Sequence, residues 1–428
     1  VAEKRDFIDD LIDIQQDWAK VSNPLGNLTS TLAADPGSIK AFDPSEYKER
    51  PRANSIFCLR VASNGNSDRA ERTCSRCLDI CPVDAIEIHG SSVKISDDCR
   101  KCGLCTMVCP TEVFVAQKLM AKSLYDKIVR VASSHEQCYV TCTRALGRVP
   151  RDNEVVLPCV GTMPKELWFS LIADYDNISV YLPLGICDRC RTTTGEEAYA
   201  EQISCAEEWS QRSVGLEVDE RDLNHEQSRA YKRGQFMGNM ARAGQAAFAA
   251  TNPALAGAQA IAKKIQAHST QVYEMQRALE RAVGDKTSGN HRRILTQKRK
   301  SVLTMLQGHP ALAGRMRLET PVCDLTRCTM CGDCVKACPV HACELDPHGH
   351  FQVEPAYCLN CGACVTICPE DALRMRLCDP SELVVRDEEA ERRKREVERQ
   401  RAQVRRAKEA GKKQLGRALD AIERLGED

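Results

Sequence analysis

Apolar positions along the chain fall into a few short, regular patterns separated by long polar or charged stretches. Residues 85–88 (Ala-Ile-Glu-Ile) and 93–95 (Val-Lys-Ile) alternate like small hairpin strands, and residues 342–345 and 351–353 repeat that layout late in the chain. Between these copies, residues 127–132 read as a buried strand, 154–161 as a second and 178–184 as a third. Residues 164–174 have a helical apolar pattern, with Leu167, Trp168, Leu171 and Ile172 on one face. Strand, helix and strand in that order form an α/β unit, which places chemistry at the carboxyl ends of its strands.

Beyond residue 207 the pattern becomes helical. The alanine-rich stretch 242–261, broken by Asn252-Pro253, predicts a helical hairpin reaching about residue 282, followed by a polar turn at 284–290 and a helix at 292–306. The expected task of this region is to space its neighbours or to bind a partner. Residues 388–425 predict a charged helix; 391–417 hold twelve Lys and Arg against four Glu, a solvated basic face suited to an acidic partner. Val397, Val404, Gly411, Ala418 and Leu425 recur every seventh residue, too thin a seam for a coiled coil. Arg392-Arg393-Lys394-Arg395 imitates a nuclear localisation signal, and the solvated helix face explains it better. The amphipathic stretch 7–19 reads as part of an N-terminal docking arm.

Composition narrows the function classes. The chain has 428 residues, formal net charge zero and 25 cysteines. Zero net charge supplies no global pull toward nucleic acid or anionic lipid. No signal sequence and no apolar run of membrane-spanning length is visible, so the expectation is a cytoplasmic chain without a membrane span. There is no Gly-rich dinucleotide fingerprint, phosphate-binding loop or nucleophile motif, and no substrate chemistry is assigned.

Most cysteines sit in four runs, each followed by proline: Cys74-Cys77-Cys81-Pro82, Cys99-Cys102-Cys105-Cys109-Pro110, Cys328-Cys331-Cys334-Cys338-Pro339 and Cys358-Cys361-Cys364-Cys368-Pro369. Three read C-x2-C-x2-C-x3-C-P, the spacing of bacterial [4Fe–4S] ferredoxins. In the first run Glu71 stands where a cysteine is expected, and Cys58, upstream of a polar insertion, is the candidate replacement. Zinc, which C-x2-C pairs also serve, wants two well-separated pairs rather than four cysteines crowded before a proline.

The two regions resemble the bacterial two-cluster ferredoxins, a family that implies a small pseudo-twofold fold of hairpins and short helices. In that family the last cysteine of each run ligates the neighbouring cluster. Applied to this chain, the rule assigns Cys58, Cys74, Cys77 and Cys109 to one [4Fe–4S] cluster, and Cys81, Cys99, Cys102 and Cys105 to its neighbour. In the second copy Cys328, Cys331, Cys334 and Cys368 take one cluster, and Cys338, Cys358, Cys361 and Cys364 the other.

Cys138, Cys142, Cys159, Cys187 and Cys190 gather around the predicted middle strands. A cysteine pair after the first strand, the Pro158-Cys159-Val160-Gly161 turn and a Gly-Ile-Cys-x2-Cys end resemble the iron–sulfur domain of the delta subunit of methyl-viologen-reducing hydrogenase. That family carries a [2Fe–2S] centre and links hydrogenases or formate dehydrogenases to heterodisulfide reductases. Here the first pair is C-x3-C rather than C-x2-C, and the last pair is closer together and lacks a flanking histidine. A [2Fe–2S] centre, a zinc ion and buried free thiols all stay open, as does the choice of four ligands from five. His135 is a further nitrogen candidate, although a lone histidine at a strand end is more often an ordinary polar residue. Cys205, Cys323, Cys343 and Cys378 read as structural.

The fold expectation is an α+β multi-domain chain. A docking arm (1–50) precedes a ferredoxin-like 2[4Fe–4S] module (51–120), a small α/β cysteine-rich domain (121–206) and a helical spacer (207–318). A second 2[4Fe–4S] module (319–378) and a charged C-terminal helix (379–428) follow. The functional expectation is an electron-transfer subunit of a multi-subunit oxidoreductase, with four [4Fe–4S] clusters and a fifth centre. Its partners would be hydrogenase, formate dehydrogenase, heterodisulfide-reductase-like or flavoprotein subunits. An iron–sulfur assembly or maturation factor is the alternative reading, and a redox sensor a third.

Overall fold

The computed structural model describes residues 44–63, 68–228, 287–288, 291–384 and 399. The expected 7–19 arm, the alanine-rich hairpin and nearly all of the 388–425 helix lie outside the described residues. Among the described residues, no helix is long and apolar enough to cross a membrane.

The first cysteine module contains β1 (Arg52–Ala53), the hairpin β2 (Ile86–His89) and β3 (Ser92–Ile95), the short helix α1 (Leu104–Val108) and β4 (Phe114–Val115). β1 pairs antiparallel with β4, and β2 with β3 in the register Ile86↔Ile95, as the alternation predicts. The middle domain follows with α2 (Ala121–Ser134), β5 (Cys138–Cys142), β6 (Glu154–Leu157), α3 (Lys165–Ile172), β7 (Ile178–Tyr181), α4 (Gly195–Ser210) and β8 (Gly215–Glu217). Its four strands form an all-parallel sheet in the order β6-β5-β7-β8. Helix α5 (Gln297–Gly308) then leads into the second module. There β9 (Glu319–Cys323), the hairpin β10 (Cys343–Leu345) and β11 (Phe351–Val353), helix α6 (Ala363–Ile367) and β12 (Leu373–Leu377) repeat the first layout. β9 pairs with β12, and β10 with β11.

Residues 127–132 belong to helix α2, which corrects the strand expected there. Leu124, Ile128 and Ala132 recur every fourth residue and are the buried face of that helix, a spacing that a six-residue window hides. The first strand is β5, whose five residues are all buried. A central parallel strand is covered on both faces, so Cys138, Tyr139, Val140, Thr141 and Cys142 show no polar–apolar alternation. Helix α3 forms where expected, with Trp168, Phe169, Leu171 and Ile172 all at 1% exposure or less.

The main core lies between this sheet and α2, α3 and α4, and it also takes in Val302, Met305 and Leu306 of α5, Met316 and Leu383. Helix α5 is thus part of the middle domain's core as well as the lead-in to the second module. The modules have small cores of their own, built partly from the cysteines: Cys58, Cys77 and Cys109 in one, Cys343, Cys364 and Cys368 in the other.

Candidate iron–sulfur centres

The cysteine loops repeat one backbone device. Three residues past the last cysteine of each run, Asp84, Glu112, His341 and Asp371 take left-handed φ of 49°, 55°, 53° and 46°. An L-residue there costs on the order of 1–2 kcal/mol, so four recurrences mark a conformation that the surroundings enforce. The turn carries the next amide back onto the sulfur. Ala85, Val113, Ala342 and Ala372 donate N–H bonds to the Sγ of Cys81, Cys109, Cys338 and Cys368 at 3.3, 3.4, 3.3 and 3.3 Å. Glycines after the second cysteine of the complete runs, Gly103, Gly332 and Gly362, are left-handed too, at φ 83°, 77° and 75°. The incomplete first run departs here: Ser75 stands at the glycine's place with φ −123°.

Tertiary structure collects these loops into groups of four. Cys58, Cys74, Cys77 and Cys109 line one cavity together with Val93, Val113 and Phe114. Cys328, Cys331, Cys334 and Cys368 line a second, and Cys338, Cys358, Cys361 and Cys364 a third. In the remaining group, Cys105 lies within electrostatic reach of Cys102, Cys99 and Cys81. Cys58 reaches its group from the helical turn Leu59–Ala62, which it precedes, and is 7% exposed. Arg60, on that turn, donates from Nε to the Cys74 carbonyl at 2.6 Å, tying the two sides of the insertion together. Burial pushes Cys77, Cys334 and Cys361 up to about 12 and Cys358 up to about 11. Such thiols stay protonated alone and ionise when a cationic iron core binds them. Buried sulfurs grouped in fours, five of them already receiving amide N–H bonds once the 3.4 Å bond from Met330 to Cys328 is included, fit a [4Fe–4S] core.

Comparison with known proteins bears on the same segments. The family model for the 4Fe-4S dicluster domain matches residues 72–113 and 327–372. An uncharacterized ferredoxin of Methanocaldococcus jannaschii is 45% identical over 40 residues, 9% of this chain, and the match spans 64% of that protein's length. A ferredoxin of Methanothermococcus thermolithotrophicus is 36% identical over 47 residues, 10% of this chain and 78% of its own length. The chain belongs to the ferredoxin family. Its iron–sulfur modules imply electron transfer as their coarse function. Cys58 lies upstream of the first matched stretch, and the middle domain lies between the two. No solved structure matches the chain.

The two ferredoxin modules flank a second kind of cysteine group. Cys142 ends β5, Cys159 follows β6, and Cys187 and Cys190 follow β7, so all four lie at the carboxyl end of the parallel sheet. Cys159 and Cys187 each lie within electrostatic reach of Cys142 and Cys190, and burial pushes them up to about 12 and about 11. The amino end of the sixteen-residue helix α4 closes on the group: a Cβ on Gly195 would stand 2.8 Å from the Cys159 sulfur. Cys138 stands apart from the four. It begins β5, is 0% exposed in the main core, and its sulfur lies 3.9 Å from the Ile128 carbonyl. His135 caps α2 and bonds Ser134 Oγ through Nδ1 at 2.8 Å, also away from the group. Among the described residues, no three His, Cys, Asp or Glu side chains converge closely enough to hold a single metal ion.

Two cysteines set aside from sequence belong beside the centres. Cys343 bonds the sulfurs of Cys338 and Cys364, which raises its own pKa and lowers that of Cys338. Cys323 lines the Cys328 cavity, and burial together with a bond to Cys328 raises it to about 11. The place of Cys343 is legible by aligning the two modules, because it follows Cys338 by the interval at which the buried Ile86 follows Cys81.

Helix α5 joins the modules through adjacent residues. Lys298, 9% exposed, donates from Nζ to the carbonyls of Thr106, Met107 and Cys109 at 2.8, 2.6 and 2.8 Å. The backbone N–H groups of Gln297 and Lys298 meet the Glu112 carboxylate at 2.9 and 2.7 Å. Arg299 turns to the other module, donating to the Ala356 and Pro355 carbonyls at 3.1 and 2.7 Å just before Cys358.

Proposed function

We propose that this chain is a polyferredoxin, the electron-transfer subunit of a multi-subunit oxidoreductase, with four [4Fe–4S] clusters and a fifth centre in the middle domain. The observation that carries this reading is that three of the four crosswise cysteine groups each line one cavity, Cys58 included. Bound there, a [4Fe–4S] cluster accepts and releases one electron without a bond being made or broken. The chain's own residues provide thiolate ligands, exclude water and aim amide N–H bonds at five of the ferredoxin ligand sulfurs. Those bonds favour the reduced, more negative state and so raise the reduction potential.

For the fifth centre the ligands are Cys142, Cys159, Cys187 and Cys190, with Cys138 left as a core thiol. A [2Fe–2S] unit shares four thiolates between two irons, the centre that the resemblance of this region to the hydrogenase delta subunit implies, and one zinc held by the same four thiolates is the alternative. The partners are redox subunits of hydrogenase, formate dehydrogenase, heterodisulfide-reductase or flavoprotein type.

Native mass spectrometry of the anaerobically purified chain tests the reading. Four cubanes give about 16 iron, and a [2Fe–2S] centre raises that to about 18. About 16 iron with one zinc would remove the fifth centre and make the middle domain structural, and a mass well below 16 iron would sink the cluster count.

A further inference from the structure

The residues between the cysteine groups fix which group is next to which. Thr111, 4% exposed, lines two cavities at once: that of Cys58, Cys74, Cys77 and Cys109, and that of Cys338, Cys358, Cys361 and Cys364. Its Oγ1 stands 3.6 Å from the Cys109 sulfur. A single side chain therefore separates one cluster position of the first module from one of the second. The other group of the second module has a cavity lined by second-module residues alone, and it contains Cys331, the one exposed cysteine among the described residues. Arg69 of the first module reaches the Cys368 and Pro369 carbonyls at its edge.

A comparable junction lies on the other side of the first module. Cys102 and Cys159 pack against the same small buried cluster of Leu104, Met107 and Ala198. A Cβ on Gly161 would meet Leu104 Cδ2 at 2.9 Å, and one on Gly103 would meet Thr162 Cγ2 at 2.9 Å, so the two backbones approach with no room for a side chain. Thr194 Oγ1 adds a bond across the same seam to the Ile80 carbonyl at 2.8 Å. Within the modules, Cys105 is in electrostatic reach of Cys77, and Cys334 of Cys364.

We infer that the five centres form one unbranched series. Its order is the middle-domain group, the Cys99 group, the Cys109 group, the Cys358 group and the Cys328 group, with Thr111 as the crossing between modules and the Cys331 loop as the outer end. The inference rests on reading the cysteine groups as cluster ligands. One electron leaves the centre on one side of Thr111 as the centre on the other side gains it, and no proton or bond changes place. The arrangement it excludes is two modules that exchange electrons with partners independently.

Magnetic interaction between reduced clusters tests the order. Cys102→Ala combined with Cys331→Ala strips one ligand from each outer cubane and keeps the two that flank Thr111. In this variant the electron paramagnetic resonance spectrum should show the mutual splitting of two close spins. Cys77→Ala with Cys361→Ala keeps the distant pair of cubanes, so the Cys328 group should give an isolated spectrum and any remaining splitting should be that between the Cys99 group and the middle-domain centre. Isolated spins in the first variant, at the iron content expected for it, would overturn the order. Full iron in either variant would instead overturn the ligand reading beneath it. Thr111→Trp, in an otherwise unchanged chain, should alter the spectra of two clusters, one from each module; a change confined to the first module would overturn the crossing.

Discussion

Cys58 is the side chain proposed to complete a centre that its own run leaves short. It stands sixteen residues before Cys74, at the start of a helical turn, and still shares a cavity with Cys74, Cys77 and Cys109. Cys58→Ala should cost the chain about 1 to 4 irons, according to whether a three-iron centre survives or the whole cubane is lost, as counted by native mass spectrometry. Retention of all the iron would remove Cys58 from the ligand set. The same scale explains why Cys138 is no match for Cys142. The two share a strand but occupy its opposite ends, and only the carboxyl end meets Cys159, Cys187 and Cys190.

At the scale of elements, helix α5 is the clamp between modules. Lys298 holds three carbonyls at the end of α1, beside Cys109, and Arg299 holds two beside Cys358. Lys298→Met keeps the aliphatic stem and leaves those three carbonyls short of a buried donor. It should lower stability by about 1–3 kcal/mol, read from denaturant unfolding of the iron-loaded chain. The parallel sheet has an analogous lock. Glu154, with its side chain fully buried at the start of β6, accepts two bonds from Arg148 at 2.7 and 2.6 Å and one from the Arg151 amide at 2.8 Å. Burial alone would raise the Glu154 pKa, but these bonds outweigh it and hold the carboxyl below its ordinary value. A carboxyl depressed in the folded state adds stability above its unfolded pKa of about 4.5, and that stability is lost as pH falls through the lower folded value. Thermal unfolding of the iron-free chain should therefore move to lower temperature below about pH 4.5, and Glu154→Gln should flatten that part of the pH dependence. An unchanged slope in the variant would rule out this pair as its source.

For the whole molecule, cores of two kinds respond differently to the loss of iron. The modules bury their own cysteines, with Cys58, Cys77 and Cys109 in one core and Cys343, Cys364 and Cys368 in the other. The middle domain has a large apolar core around Trp168, Phe169 and Leu171 that uses none of the ferredoxin cysteines. Chelating the iron should open the modules while the parallel sheet stays folded, because cluster binding is folding free energy only where the ligands make the core. Hydrogen exchange should then rise in β2, β3, β10 and β11 and stay slow in β5, β6 and β7. Uniform exchange over all of them would mean that the chain unfolds as one unit.

How much was legible in advance follows from the distance over which each feature is encoded. Three ligands within seven residues, a proline after each run and alternating hairpins are local patterns, so the two ferredoxin modules and helix α3 could be read from the sequence alone. Residues 127–132 could not, because their helix is defined by Leu124 and Ile128, a turn apart, and by a buried face supplied by other elements. The four middle cysteines are spread over three strand ends, and strand order and direction decided that Cys142 belongs with them and Cys138 does not. Thr111 is an ordinary residue in a loop; its place between two cavities exists only because distant segments pack there. The sequence by itself thus determined which chemistry the chain carries, since thiolate spacing is short-range geometry. The tertiary structure alone decided which cysteine groups are neighbours, since that depends on packing between elements hundreds of residues apart.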